Sequence, residues 1–123
     1  MQAVARLAVG IIALFNLGIG LAFWARPEAI AARFFVAPTD VQGLATVRAD
    51  FGAFFIGAAL FALAGAWRTD ARPLVVPLAF LALALAGRAL SLVTDGVNPQ
   101  ALPPMVVEVV MIAMLLWARR AFG

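Results

Sequence analysis

Four stretches of this chain have the length and apolarity that a bilayer crossing demands. A spanning helix needs about 20 mostly apolar residues. The runs from Val4 to Trp24, Leu44 to Trp67, Leu74 to Thr94 and Leu102 to Ala118 all qualify. The chain is 66% hydrophobic and 12% charged, whereas soluble domains run about 45–50% apolar and about 25% charged. The expected fold is all-α: an integral membrane four-helix bundle, with residues 1–123 as a single domain.

The connections support antiparallel neighbours. RTDARP, Arg68 to Pro73, is a short polar turn, and DGVNPQ carries Gly and Asn-Pro turn signals. Short links of this kind join adjacent helices of a bundle. The first connection is longer. Pro27 and Glu28 favour a helix start, Pro38 closes the stretch, and Thr39 is then available as an N-cap. Ile30, Phe34 and Phe35 are apolar while Glu28 and Arg33 are charged, which suits a short interfacial helix between helices 1 and 2. An irregular loop is the alternative. No low-complexity segment or internal repeat is present.

Arginines in short loops set orientation. Arg6, Arg68, Arg72, Arg119 and Arg120 lie on one side, against Arg26 and Arg33 on the other. Both termini are therefore expected in the cytoplasm. Trp24, Trp67 and Trp117 fall near span ends, where indoles anchor at headgroups. The first span is too long for a typical signal-peptide core, and AFWAR offers no A-x-A cleavage site.

The residue inventory restricts the chemistry. There is no Cys, His or Tyr, and every base is arginine. Imidazole catalysis, Schiff bases, and metal sites built on His or Cys drop out. No metal and no cofactor is called for. The net charge of +3 comes from scattered arginines with no basic stripe, so nucleic acid is not an expected partner. Membrane lipids are.

Against this background the polar residues inside the spans stand out. Arg88 lies seven residues before Asp95, about 10 Å below its helix end. Glu108 lies six residues into the fourth span, about 9 Å from the same surface. A tight turn joins the two helices, so an Arg88–Glu108 pair is expected. Unpaired, each charge would cost roughly 2.5–3.5 kcal/mol. Asp50 and Arg48 sit near the same depth on the second span but two residues apart, so they cannot share a face. Asp50, too short to snorkel, is expected to point inward, while Arg48 can reach the interface or wrap around. Asn16 lies on the first span at a similar depth. Ala84, Arg88, Ser91 and Asp95 form one stripe on the third helix, and Met105, Glu108, Met111 and Leu115 another on the fourth. The other half of every span is apolar. There, Ala53 and Gly57 form a small-xxx-small pair expected to let helices pack closely.

These pieces resemble a family of small bacterial four-helix membrane proteins grouped with the DoxX-like proteins and labelled as a domain of unknown function. The matching stretches are Trp24 to Ala29, then VRADFGAFFIGAAL from Val47 to Leu60, GRALSLVTDG from Gly87 to Gly96, and Glu108 early in the fourth span. The likeness covers nearly the whole chain. It implies an architecture and the cytoplasmic (inner) membrane of a bacterium, and it assigns no catalytic residue.

Three functions are compatible with the polar layer. In the first, it is an intramembrane site for a lipid-soluble small molecule, entered from the outer leaflet. The candidate catalytic residues are Asp50, Glu108, Arg88 and Arg48, working by acid–base isomerisation or epoxide opening. Asn16, Ser91, Asp95, Phe51, Phe54 and Phe55 would bind the substrate. In the second, the chain is a non-catalytic membrane subunit or scaffold whose charges are interhelical clamps, saturating one another and leaving no cavity. The third is ion-coupled transport, which with four spans would require a homo-oligomer.

Overall fold

A computed structural model describes residues 1–123 and contains five helices and no strand. We label them α1 (Gln2–Ala25), α2 (Pro27–Arg33), α3 (Val41–Arg68), α4 (Arg72–Thr94) and α5 (Pro99–Phe122). All but α2 are long and apolar enough to cross a membrane. Only 25 of the 123 residues are buried. The outward surface carries Leu7, Ile11, Leu14, Leu60, Leu83 and Val109, a surface suited to lipid and not to water. The chain is a multi-pass membrane protein.

The four long helices form a ring in which α1 packs on α3 and α5, and α4 closes the circle between them. The α1–α3 seam is the most extensive, and its closeness depends on two glycines. A Cβ added to Gly20 would lie 2.5 Å from Ile56 Cγ1 and 2.9 Å from the Ile56 backbone nitrogen. One added to Gly52 would meet the Trp24 ring at 2.6 Å. Small residues let backbones approach where no water drives association. The expected pair is a different one. Ala53 is exposed and a Cβ on Gly57 meets nothing within 4 Å, so Ala53 and Gly57 do not form the close contact.

Two arginines tie this seam at its ends. Arg6 of α1 donates from Nε to the Ala66 carbonyl of α3 at 2.9 Å. Arg48 of α3 donates from Nε to the Trp24 carbonyl of α1 at 3.0 Å. Each carbonyl lies in a last helical turn, where no intrahelical N–H is available and a positive charge is favoured. The half of the bundle nearest the termini is thus not wholly apolar, since Arg6 sits in it.

The first connection is helical. Pro27 occupies the first turn of α2 and Glu28 stands beside it. The helix stops in a Schellman turn: Phe35 N–H reaches the Ala32 carbonyl and Val36 N–H the Ala31 carbonyl, with Phe35 at φ 61°. The cap of α3 is Asp40 and not Thr39, because Asp40 Oδ1 accepts the Gly43 N–H at 2.8 Å. Seven residues after this cap, α3 widens into a π-helical turn over Val47–Phe51 before returning to α geometry. Between α3 and α4, the Arg72 side chain hydrogen-bonds Asp70 at 2.9 Å and holds its carboxyl below the ordinary value. The turn is therefore tightest above that lowered pKa and loosens as pH falls through it.

Packing differs between the two ends. Towards the termini, Ala5, Val9 and Ile12 meet Ala62, Leu78, Leu115 and Phe122 in a continuous core. Towards the opposite, distal end, α4 has no buried residue beyond Leu81. There the helices part.

Candidate functional site

The space between the distal halves is a cavity of about 550 Å³. Helix α1 contributes Phe15 and Ile19, one turn apart. Helix α3 contributes Asp50, Phe51, Phe54 and Phe55, and Phe34 enters from the end of α2. Helix α4 supplies Leu81, Ala84 and Arg88. The remaining wall is α5, with Pro103, Pro104, Val107, Glu108 and Met111. Leu81 and Met111 also belong to the continuous core. They form a floor, so the cavity is blind towards the termini.

The aromatic wall is built around Phe23, which is fully buried. It packs on Phe34 at 5.4 Å, Phe51 at 5.2 Å and Phe55 at 5.9 Å between ring centroids. Phe54 stacks on Phe80 of α4 at 5.3 Å. Offset and edge contacts of this kind are worth about 0.5–1.5 kcal/mol each beyond burial. They fix the wall without filling the space inside it.

Arg88 and Glu108 meet across the α4–α5 hairpin, as equal depth requires. Arg88 Nε lies 3.1 Å from both carboxylate oxygens of Glu108. The Glu108 side chain is 10% exposed and that of Arg88 is 36%. The contact uses the Nε–H alone, and the two terminal amino groups of the guanidinium have no protein acceptor. Asp50 lines the same cavity with neither ion pair nor hydrogen bond.

The π turn places Asp50. It carries Arg48, Asp50 and Phe51 together, and such wide turns recur at functional positions. Asp50 and Phe51 face the cavity, while Arg48 faces the groove beside α2, among Arg26, Pro27 and Glu28. Arg48 is thus outside the cavity, engaged at Trp24.

Other expected site residues lie elsewhere. Asn16 is buried, but its amide donates to the Ile12 carbonyl at 2.8 Å and contacts Met111 Sδ at 3.6 Å. It glues α1 to α5 beneath the cavity. Ser91 and Asp95 are exposed and do not line it, in keeping with the lack of any buried residue on α4 beyond Leu81. Phe51, Phe54 and Phe55 do form its wall. Phe15, Phe34 and the Pro103–Pro104 pair are not among the site residues expected from sequence. Phe15 and Ile19 could have been found as an i, i+4 pair beside Asn16, but Phe34 depends on the fold of the first connection.

A model of the family described as a domain of unknown function (DUF4345) matches residues 4–119. The chain belongs to this family. The DUF4345 match takes in most of each long helix and every cavity residue from Phe15 to Met111. No curated protein and no solved structure matches the chain.

Proposed function

We propose that this DUF4345 protein binds a lipid-soluble small molecule in the distal cavity. The observation that carries the reading is a blind, aromatic-walled volume of about 550 Å³ with Asp50, Arg88 and Glu108 on its surface. Ligand sites are commonly about 300–1,000 Å³, mostly apolar, with a few converging polar groups. A scaffold of saturated clamps would leave no such space and no unpartnered Asp50. A transport path would have to cross the packed apolar core beneath Leu81 and Met111, where Asn16 and Arg6 are already spent on the Ile12 and Ala66 carbonyls.

The arginine distribution supports a placement with both termini in the cytoplasm and the cavity towards the outer leaflet. The DoxX-like resemblance supports the bacterial cytoplasmic membrane. Within the cavity, Asp50 is the carboxylate without a partner, whereas Glu108 is held by Arg88. Acid–base chemistry on a bound substrate, isomerisation or epoxide opening, would therefore run through Asp50, with Arg88 orienting a substrate oxygen.

The chain has no cysteine, which makes single-cysteine variants a clean test. Ala84→Cys, on the cavity wall, should react with N-phenylmaleimide, whereas Ala62→Cys, in the packed core, should not. The Ala84 adduct should also abolish binding of triphenylphosphine oxide to protein in lipid nanodiscs, measured by calorimetry against empty discs. Equal reactivity at the two positions, or no blockable binding, refutes the reading.

A further inference from the structure

The chemistry of the cavity specifies the charge of what it holds. Three ionisable groups line it: Asp50, Arg88 and Glu108. Arg88 and Glu108 cancel one another at 3.1 Å, which leaves the negative charge of Asp50. The nearest arginine in sequence cannot neutralise it. Arg48 is turned out of the cavity by the π turn, and its Nε–H is committed to the Trp24 carbonyl at 3.0 Å.

The rest of the wall points the same way. Five phenylalanines line the cavity, and the face of an aromatic ring carries negative electrostatic potential. A cation within about 6 Å of such a face is attracted, most strongly when desolvated. There is no Tyr in the chain and no Trp on this wall, so no ring N–H or O–H competes for an anionic ligand. The terminal amino groups of Arg88 offer hydrogen-bond donors, but they belong to a pair whose net charge is zero.

Resting on the reading of the cavity as a ligand site, we infer that its ligand is a lipophilic cation, a hydrophobic amine or onium ion whose charge sits at Asp50 among the phenylalanines. An anion would meet the uncompensated carboxylate. Asp50 is exposed on the cavity wall, and a neutral molecule seated over it would strip its carboxylate of water without supplying a counter-charge, which is costly. A cation removes that cost and gains the ring faces. A carbonyl or ether oxygen on the same molecule would be taken by Arg88.

Three probes of similar shape and different charge provide the test: tetraphenylphosphonium, triphenylphosphine oxide and tetraphenylborate. Each is titrated into the protein in nanodiscs, with empty discs as blank. Tetraphenylphosphonium should bind most tightly, and tetraphenylborate should not bind above blank. Asp50→Asn should weaken the phosphonium by about tenfold or more without weakening the oxide, and Asp50→Glu should restore most of the loss. Should Asp50→Asn not fold, the ranking of the three probes on the unmodified protein decides. Equal affinities for cation and oxide, or indifference of the cation to Asp50→Asn, overturns the inference while oxide binding blocked at Ala84 keeps the cavity reading. Binding by none of the three overturns both.

Discussion

Replacing Gly20 by alanine should loosen the α1–α3 seam, whereas the same change at Gly18, on the lipid side of the same helix, should not. The Cβ at Gly20 would stand 2.5 Å from Ile56 Cγ1 and 2.9 Å from the Ile56 backbone nitrogen. The side chain of Ile56 can turn aside. Its backbone cannot, so the two helices must separate by several tenths of an ångström. Overpacking of this kind costs about 1–3 kcal/mol. Alanine returns up to about 1 kcal/mol of helix propensity, leaving a net loss of about 0–2 kcal/mol. At Gly18 a Cβ meets nothing within 4 Å, and only the propensity gain of up to about 1 kcal/mol remains. Since the propensity gain is common to both, the two variants should differ by the overpacking cost, about 1–3 kcal/mol, with Gly18→Ala the more stable. Unfolding in mixed micelles, followed by circular dichroism, reads this directly. Equal stability of Gly20→Ala and Gly18→Ala would refute the reasoning, since nothing but the proximity of Ile56 and Gly52 distinguishes the two positions.

Glu108→Gln should cost about 1–2 kcal/mol, below the 2.5–3.5 kcal/mol of a lone intramembrane charge, because Arg88 is partly exposed and can shift. The double variant Arg88→Met/Glu108→Gln should recover much of that loss in the same unfolding assay, and no recovery would show the pair to be uncoupled. Phe35→Gly should raise stability by about 0.5–1 kcal/mol, the difference between the left-handed backbone penalty and the added chain entropy of glycine. The ring of Phe35 is 72% exposed, so a fall in the unfolding midpoint would mean that it is anchored in the bilayer interface.

Depth in the bundle could be read from the sequence, and direction around each helix could not. Arg88 and Glu108 meet because their distances from one tight turn are equal, a quantity obtained by counting residues. Asn16 was placed at nearly the right depth by the same count, yet it turns to Met111 and not into the cavity. Arg48 and Asp50 separate as their spacing demands, but which of them faces inward depends on the wide turn at Val47–Phe51. No residue type in VRADF announces that turn. The Ala53–Gly57 pair failed for a related reason. A small-xxx-small spacing specifies a stripe on one helix, and only the partner, here Gly20, shows which stripe is used. Ser91 and Asp95 continue the Arg88 stripe faithfully, but nothing on α4 beyond Leu81 is buried.

The π turn also bears on how this chain lines up with its relatives. A turn closed five residues apart holds one residue more than an α-helix would place there, so it is an insertion that never leaves the helix. In a relative that lacks it, the segment from Asp40 to Thr46 would be rotated by about 100° around the axis relative to everything after Gly52. A single-residue gap in the middle of a hydrophobic helix, usually dismissed as an alignment error, would at Val47–Phe51 mark a protein in which the acidic side chain has swung away from the cavity.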